Sequence, residues 1–105
     1  MCNPGPVRVT LRYFDDCPNW QTADANLRQA LDATGHGDVS IDHEKIETAE
    51  AAERLGFIGS PTVLIDGSDP FATPGAPVGL ACRIYRTPEG MRGWPTVEQL
   101  SDVLR

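Results

Sequence analysis

Between Val7 and Thr34 the hydrophobic period of this chain changes from 2 to 3.6 within a few residues, and that change commits it to an α/β fold. Val7, Val9, Leu11 and Tyr13 alternate with Arg8, Thr10 and Arg12, which predicts a strand over about 7–14. Trp20, Ala23, Leu27, Ala30, Leu31 and Thr34 then recur at helical spacing and form one apolar stripe. The junction between the two reads Asp15-Asp16-Cys17-Pro18-Asn19-Trp20. Proline suits the first helical position, where no N–H is needed, so the pattern predicts Pro18 there with Asp16 or Cys17 as the cap. Gly35-His36-Gly37 ends the helix.

The remaining chain continues in the same idiom. Val39, Ile41 and His43 oppose Ser40, Asp42 and Glu44, a second strand, and Thr48 to Leu55, rich in Ala and Glu and closed by Gly56, reads as a short helix. Thr62-Val63-Leu64-Ile65 is a β-branched run stopped by Asp66-Gly67, a buried strand. Residues 68–80, with three prolines and two glycines, form a long loop. Ala81 to Tyr85 is again extended, a Pro/Gly-rich connection spans Thr87 to Pro95, and Val97, Leu100, Val103 and Leu104 share a stripe on a closing helix. The predicted order is βαβαββα. At 105 residues and 40% hydrophobic the chain can bury one core, so a single domain over 7–105 behind a flexible tail at 1–6 is expected.

Charge and cysteine usage narrow the chemistry. Fifteen acidic residues against nine Lys and Arg give a net charge of −6, which argues against nucleic-acid partners, because no basic stripe exists to displace phosphate counterions. No apolar run approaches the roughly 20 residues of a membrane span, and Met1-Cys2-Asn3-Pro4-Gly5-Pro6 has no hydrophobic signal-peptide core, so neither a membrane nor export is expected and a cytoplasmic protein is the reading. Three cysteines are too few for a disulfide scaffold and match no zinc spacing; reduced thiols and no metal are expected. Cys17 is the reactive candidate, since a thiol at a helix N-terminus meets unpaired N–H groups and the positive end of the helix dipole. Asp15 and Asp16 push the other way, because nearby negative charge disfavours a thiolate.

With Cys17-Pro18-x-Trp20 at the first strand-to-helix junction and Gly59-Ser60-Pro61-Thr62 opening the third strand, the chain resembles the thioredoxin and glutaredoxin superfamily over nearly its whole length. The resemblance implies a thioredoxin-like fold with a four-stranded mixed sheet flanked by three helices. It also implies Cys17 as nucleophile and Pro61 as a cis-proline beside it. Pro18, Trp20, Ser60, Pro61 and Thr62 are the candidate substrate-binding residues, with Trp20 open between a lid or stacking surface near the thiol and the first core residue of its helix, and no cofactor is expected. Where dithiol members carry a second cysteine this chain has Trp20, so a monothiol redox protein is expected, forming mixed disulfides with a low-molecular-weight thiol or a protein client. Cys2, at the far end of the first strand, is too distant to resolve such a disulfide. Cys82 is placed roughly 10 Å short along its strand and ~10 Å sideways, against the ~7 Å limit between Cα atoms, although the loop before it leaves its register and the pairing open. Two other classes remain: organomercurial-lyase-like chemistry, for which Cys17, Cys82 and Asp15 or Asp16 supply the residue types, and a redox-silent binding module. His36 is read as a solvated loop residue, His43 as a satisfied strand histidine, and Arg83 and Arg86 as solvated ion pairs, with binding of an anionic thiol as the alternative.

Overall fold

In the computed structural model, which describes residues 7–72 and 75–104, the alternating segment forms β1 (Val9–Tyr13) and buries Val9 and Leu11. The expected tail at 1–6, and Cys2 with it, lies outside the described residues. The helical stripe becomes α1 (Asn19–Ala33), which buries Ala23, Leu27, Ala30 and Leu31. There follow β2 (Ile41–Lys45), α2 (Ala49–Leu55) and β3 (Thr62–Ile65). Strand β1 is central: β2 pairs with it in parallel, Val9 opposite Ile41, and β3 antiparallel, Arg12 opposite Thr62. That antiparallel register brings the start of β3 to the end of β1, where Cys17 follows.

One face of this sheet carries the main core. Val9, Leu11 and Val63 pack with Ala23, Leu27, Ala30 and Leu31 of α1 and with Leu100 and Leu104 of α3 (Val97–Leu104). Thr96 and Gln99 cap α3 reciprocally: Gln99 N–H donates to Thr96 Oγ1 at 3.0 Å and Thr96 N–H to Gln99 Oε1 at 3.0 Å. A second cluster, Ile46, Ala52 and Phe57, seats α2, whose first turn is capped by Thr48 Oγ1 accepting from Ala51 N–H.

Three expectations need correction. The sheet has three strands, ordered β2-β1-β3, and the fourth strand expected at Ala81–Tyr85 is absent from it. Of that segment only Cys82 pairs beside β3, in a parallel bridge with Ser60; Ile84 is then 60% exposed and the chain leaves the sheet edge. The Pro/Gly-rich connection contains a hairpin, β4 (Tyr85–Thr87) with β5 (Gly90–Arg92), closed by the two-residue turn Pro88-Glu89, so the order is βαβαβββα. Finally, neither Asp16 nor Cys17 caps α1. Pro18 holds the cap position with helical angles and no side-chain cap bond, while Asp15 and Asp16 occupy the exposed middle of a turn closed by Cys17 N–H donating to Phe14 O at 3.0 Å.

Candidate active site: the Cys17 and Cys82 pair

Cys17 is fully buried where the Phe14–Cys17 turn meets the first turn of α1, and its sulfur is bonded to that of Cys82, 65 residues on. Their Cα atoms are 5.8 Å apart, within the ordinary range for a disulfide. The expectation of reduced thiols, and the estimate that put Cys82 out of reach, are thereby corrected. The estimate assumed that the strand bearing Cys82 starts at the far end of the sheet. Instead the loop carries the chain the whole way back, so residues 81–83 run parallel to the approach to β3 and Cys82 sits level with Ser60.

Four features hold Cys82 there. Ser60 N–H donates to Ala81 O and Arg83 N–H donates to Ser60 O, both at 2.8 Å. The two segments approach closely because residue 59 is glycine: its φ is +128°, and a Cβ would lie 2.9 Å from Arg83 Cβ and 3.3 Å from Ala81 O. Arg83, expected in solvent, is buried, with its guanidinium donating to Asp69 Oδ2 at 2.7 Å, Phe71 O at 2.6 Å and Thr62 Oγ1 at 3.3 Å. Its charge lies 4.6 Å over the ring of Tyr85, whose hydroxyl donates to Pro61 O. Burial pushes the Tyr85 phenol well above the usual tyrosine range; the Arg83 charge partly offsets this and the Asp69 charge adds to it.

The other expected site residues divide. The Ser60–Pro61 peptide bond is cis, and Ser60 O lies 3.9 Å from Cys17 Sγ. Ser60, Pro61 and Thr62 are all buried, and Thr62 Oγ1 donates to Gly59 O at 2.6 Å. The main chain of Ser60 is already paired with this chain's own residues 81–83. Ser60 Oγ is buried with no hydrogen-bond partner among the described residues. Trp20 serves packing: it stacks on Tyr13 at 4.3 Å and meets the edge of His43 at 6.2 Å. Pro18 is exposed beside the turn. Asp15 is engaged by Lys45 Nζ at 3.2 Å, a hydrogen-bonded pairing that raises the Lys45 pKa. His43 pairs with Asp24 at 2.8 Å and is no part of the site; half-buried His36 lies with Nε2 3.1 Å from Leu104 O.

Sequence reasoning missed Asn19. Its Nδ2 points a donor at Cys17 Sγ from 3.9 Å, and the space it occupies exists because residue 93 is glycine, where any Cβ would overlap the Asn19 side chain. Asn19 is the only side-chain amide in the Cys17–Trp20 motif, and that was the available signal.

No family model, curated protein or solved structure matches this chain. The site therefore has to be read from its own geometry. Among the described residues no helix is long and apolar enough to cross a membrane, and no three His, Cys, Asp or Glu side chains are grouped to hold a metal ion.

Proposed function

We propose that this chain is a thioredoxin-like thiol–disulfide redox protein whose reversible couple is Cys17 with Cys82. The observation that carries the reading is the convergence of the two cysteines, from 65 residues apart, at the start of α1 and against the buried Ser60-Pro61-Thr62 segment. A purely structural staple has no need of the donors at Cys17, which suit a sulfur that must become an anion. In the oxidised state the pair takes two electrons and two protons from a dithiol client, which leaves as its disulfide; the reduced pair returns them to another disulfide. The second thiol that Trp20 excludes from the Cys17 motif is supplied by Cys82. The mixed disulfide expected of a monothiol protein then becomes an intermediate, and its partner is a small thiol or a protein client.

The test is electron transfer by the reduced protein, freed of reductant, to a disulfide-bonded peptide. One peptide disulfide should be reduced per chain as the Cys17–Cys82 bond forms, and neither Cys17→Ser nor Cys82→Ser should do this. A Cys82→Ser protein as active as the wild type would restore the single-cysteine mechanism, and an inert wild type would leave a silent module. Organomercurial chemistry is a second reading that the same convergence favours, since two thiols can now grip one mercury atom. The carboxylate it also needs is poorly provided, with Asp15 held by Lys45 and Asp16 exposed.

A further inference from the structure

The two sulfurs of this pair are not equivalent. Cys17 is fully buried, whereas Cys82 is exposed and lines an open cleft of about 340 Å³ with Ile58, Ala76, Pro77, Ala81 and Ile84. Thiolate attack on a disulfide runs along the S–S axis, with the nucleophile entering opposite the sulfur that leaves, so access decides which sulfur is struck. Attack on Cys82 Sγ comes from the cleft. Attack on Cys17 Sγ would have to come through the interior.

We infer that Cys82 is the sulfur that exchanges with substrate and Cys17 the buried leaving and resolving thiol, the reverse of the order that the Cys17-Pro18 motif suggests. The inference rests on the redox reading above and assigns the roles within it. An incoming thiolate bonds to Cys82 Sγ, the Cys17–Cys82 bond breaks, and its electron pair leaves with Cys17 as a thiolate. The Asn19 Nδ2 donor and the first turn of α1, an uncapped helix of 15 residues, face the charge that develops there. A second thiol of the same dithiol client then attacks its own sulfur in the mixed disulfide, closing the client disulfide and releasing Cys82 as a thiolate; each thiolate takes up a proton the client has given up.

Cys82 stays in place through this cycle without the S–S bond. The Ser60 hydrogen bonds to Ala81 and Arg83 and the Arg83 contacts to Asp69 and Phe71 do not depend on it. Cys17 therefore remains next to any adduct on Cys82 and expels those that lack a second thiol.

The experiment is a pulse of the monothiol 2-mercaptoethanesulfonate on the oxidised wild-type protein, stopped within the first fraction of turnover by acid and thiol alkylation, with both cysteines then mapped by mass spectrometry. The adduct should sit on Cys82, with Cys17 alkylated, in at least about tenfold excess over the opposite arrangement, since access and leaving group favour the same direction. An adduct mainly on Cys17, or equally on both, overturns the assignment while leaving the redox couple standing. A bond that no concentration of thiol opens in the folded protein overturns the couple itself, and the assignment with it.

Discussion

Breaking the Cys17–Cys82 bond should remove about 4 kcal/mol of stability. The bond closes a loop across a separation of 65 residues, and the chain-entropy relation for such a loop gives roughly 14–15 cal/mol/K, about 4 kcal/mol at 25 °C. Against the roughly 5–15 kcal/mol that holds most domains folded, this leaves a reduced protein that is native but close to its limit. At a urea slope of ~2 kcal/mol/M the unfolding midpoint should fall by ~2 M on reduction. Half-buried Trp20 and Trp94 report unfolding by fluorescence, and a phosphine reductant opens the bond without adding a thiol. Cys82→Ala should match the reduced wild type and ignore the phosphine. A wild-type midpoint that moves by less than about 0.5 M, or a Cys82→Ala protein as stable as oxidised wild type, would refute the reasoning, because at that slope the shift would correspond to only ~1 kcal/mol.

Gly59→Ala should force residues 81–83 off the Ser60 edge, so refolded protein should carry a smaller fraction of the Cys17–Cys82 bond by non-reducing peptide mapping; an unchanged fraction would show that the close approach is dispensable. Gly93→Ala should displace Asn19 and slow opening of the bond by dithiothreitol roughly 2–5-fold, the worth of one weak hydrogen bond of about 0.5–1 kcal/mol, and Asn19→Ala should do the same. A Gly93→Ala rate equal to wild type beside a slowed Asn19→Ala would contradict the steric link. For Tyr85, whose folded-state pKa is raised by burial, the native state keeps a proton that the unfolded chain releases. That stability is present below the ordinary tyrosine value of about 10 and is lost as pH rises beyond it. Urea midpoints of the oxidised protein should thus drop above pH ~10, and Tyr85→Phe should flatten the drop; parallel profiles would remove burial of Tyr85 as its cause.

How much of this was legible in the sequence follows from the range of the forces involved. Strands β1 and β3, helices α1 and α2 and the closing helix are written in local periodicity, and each lies within a residue or two of its expected bounds. Cys17 at the first junction could be found because the strand, the proline and the helical stripe are adjacent in the chain. Cys82 could not be placed that way. Its position depends on a gap opened by Gly59 and on an Arg83–Asp69 pair that spans the long loop, both of them tertiary. The glycine before Ser60-Pro61 was nevertheless a signal for close backbone approach, and Pro88-Glu89-Gly90 a signal for the hairpin that was read as a plain connection. Asn19 could be noticed as an amide beside Cys17, but its approach to the sulfur could not be placed, because the space it occupies is made by Gly93, far along the chain.

The central claim, a reversible two-electron couple between Cys17 and Cys82, is tested most directly by equilibrating the native protein in buffers of graded dithiothreitol redox ratio. At each ratio the acid-quenched protein is alkylated and the thiol state of both residues quantified by mass spectrometry. The account predicts that Cys17 and Cys82 become alkylatable together, along one two-electron curve that is the same when approached from the oxidised and the reduced side. Independent titration of the two residues, or a Cys82 that stays a free thiol at every ratio while Cys17 alone is modified, would contradict it.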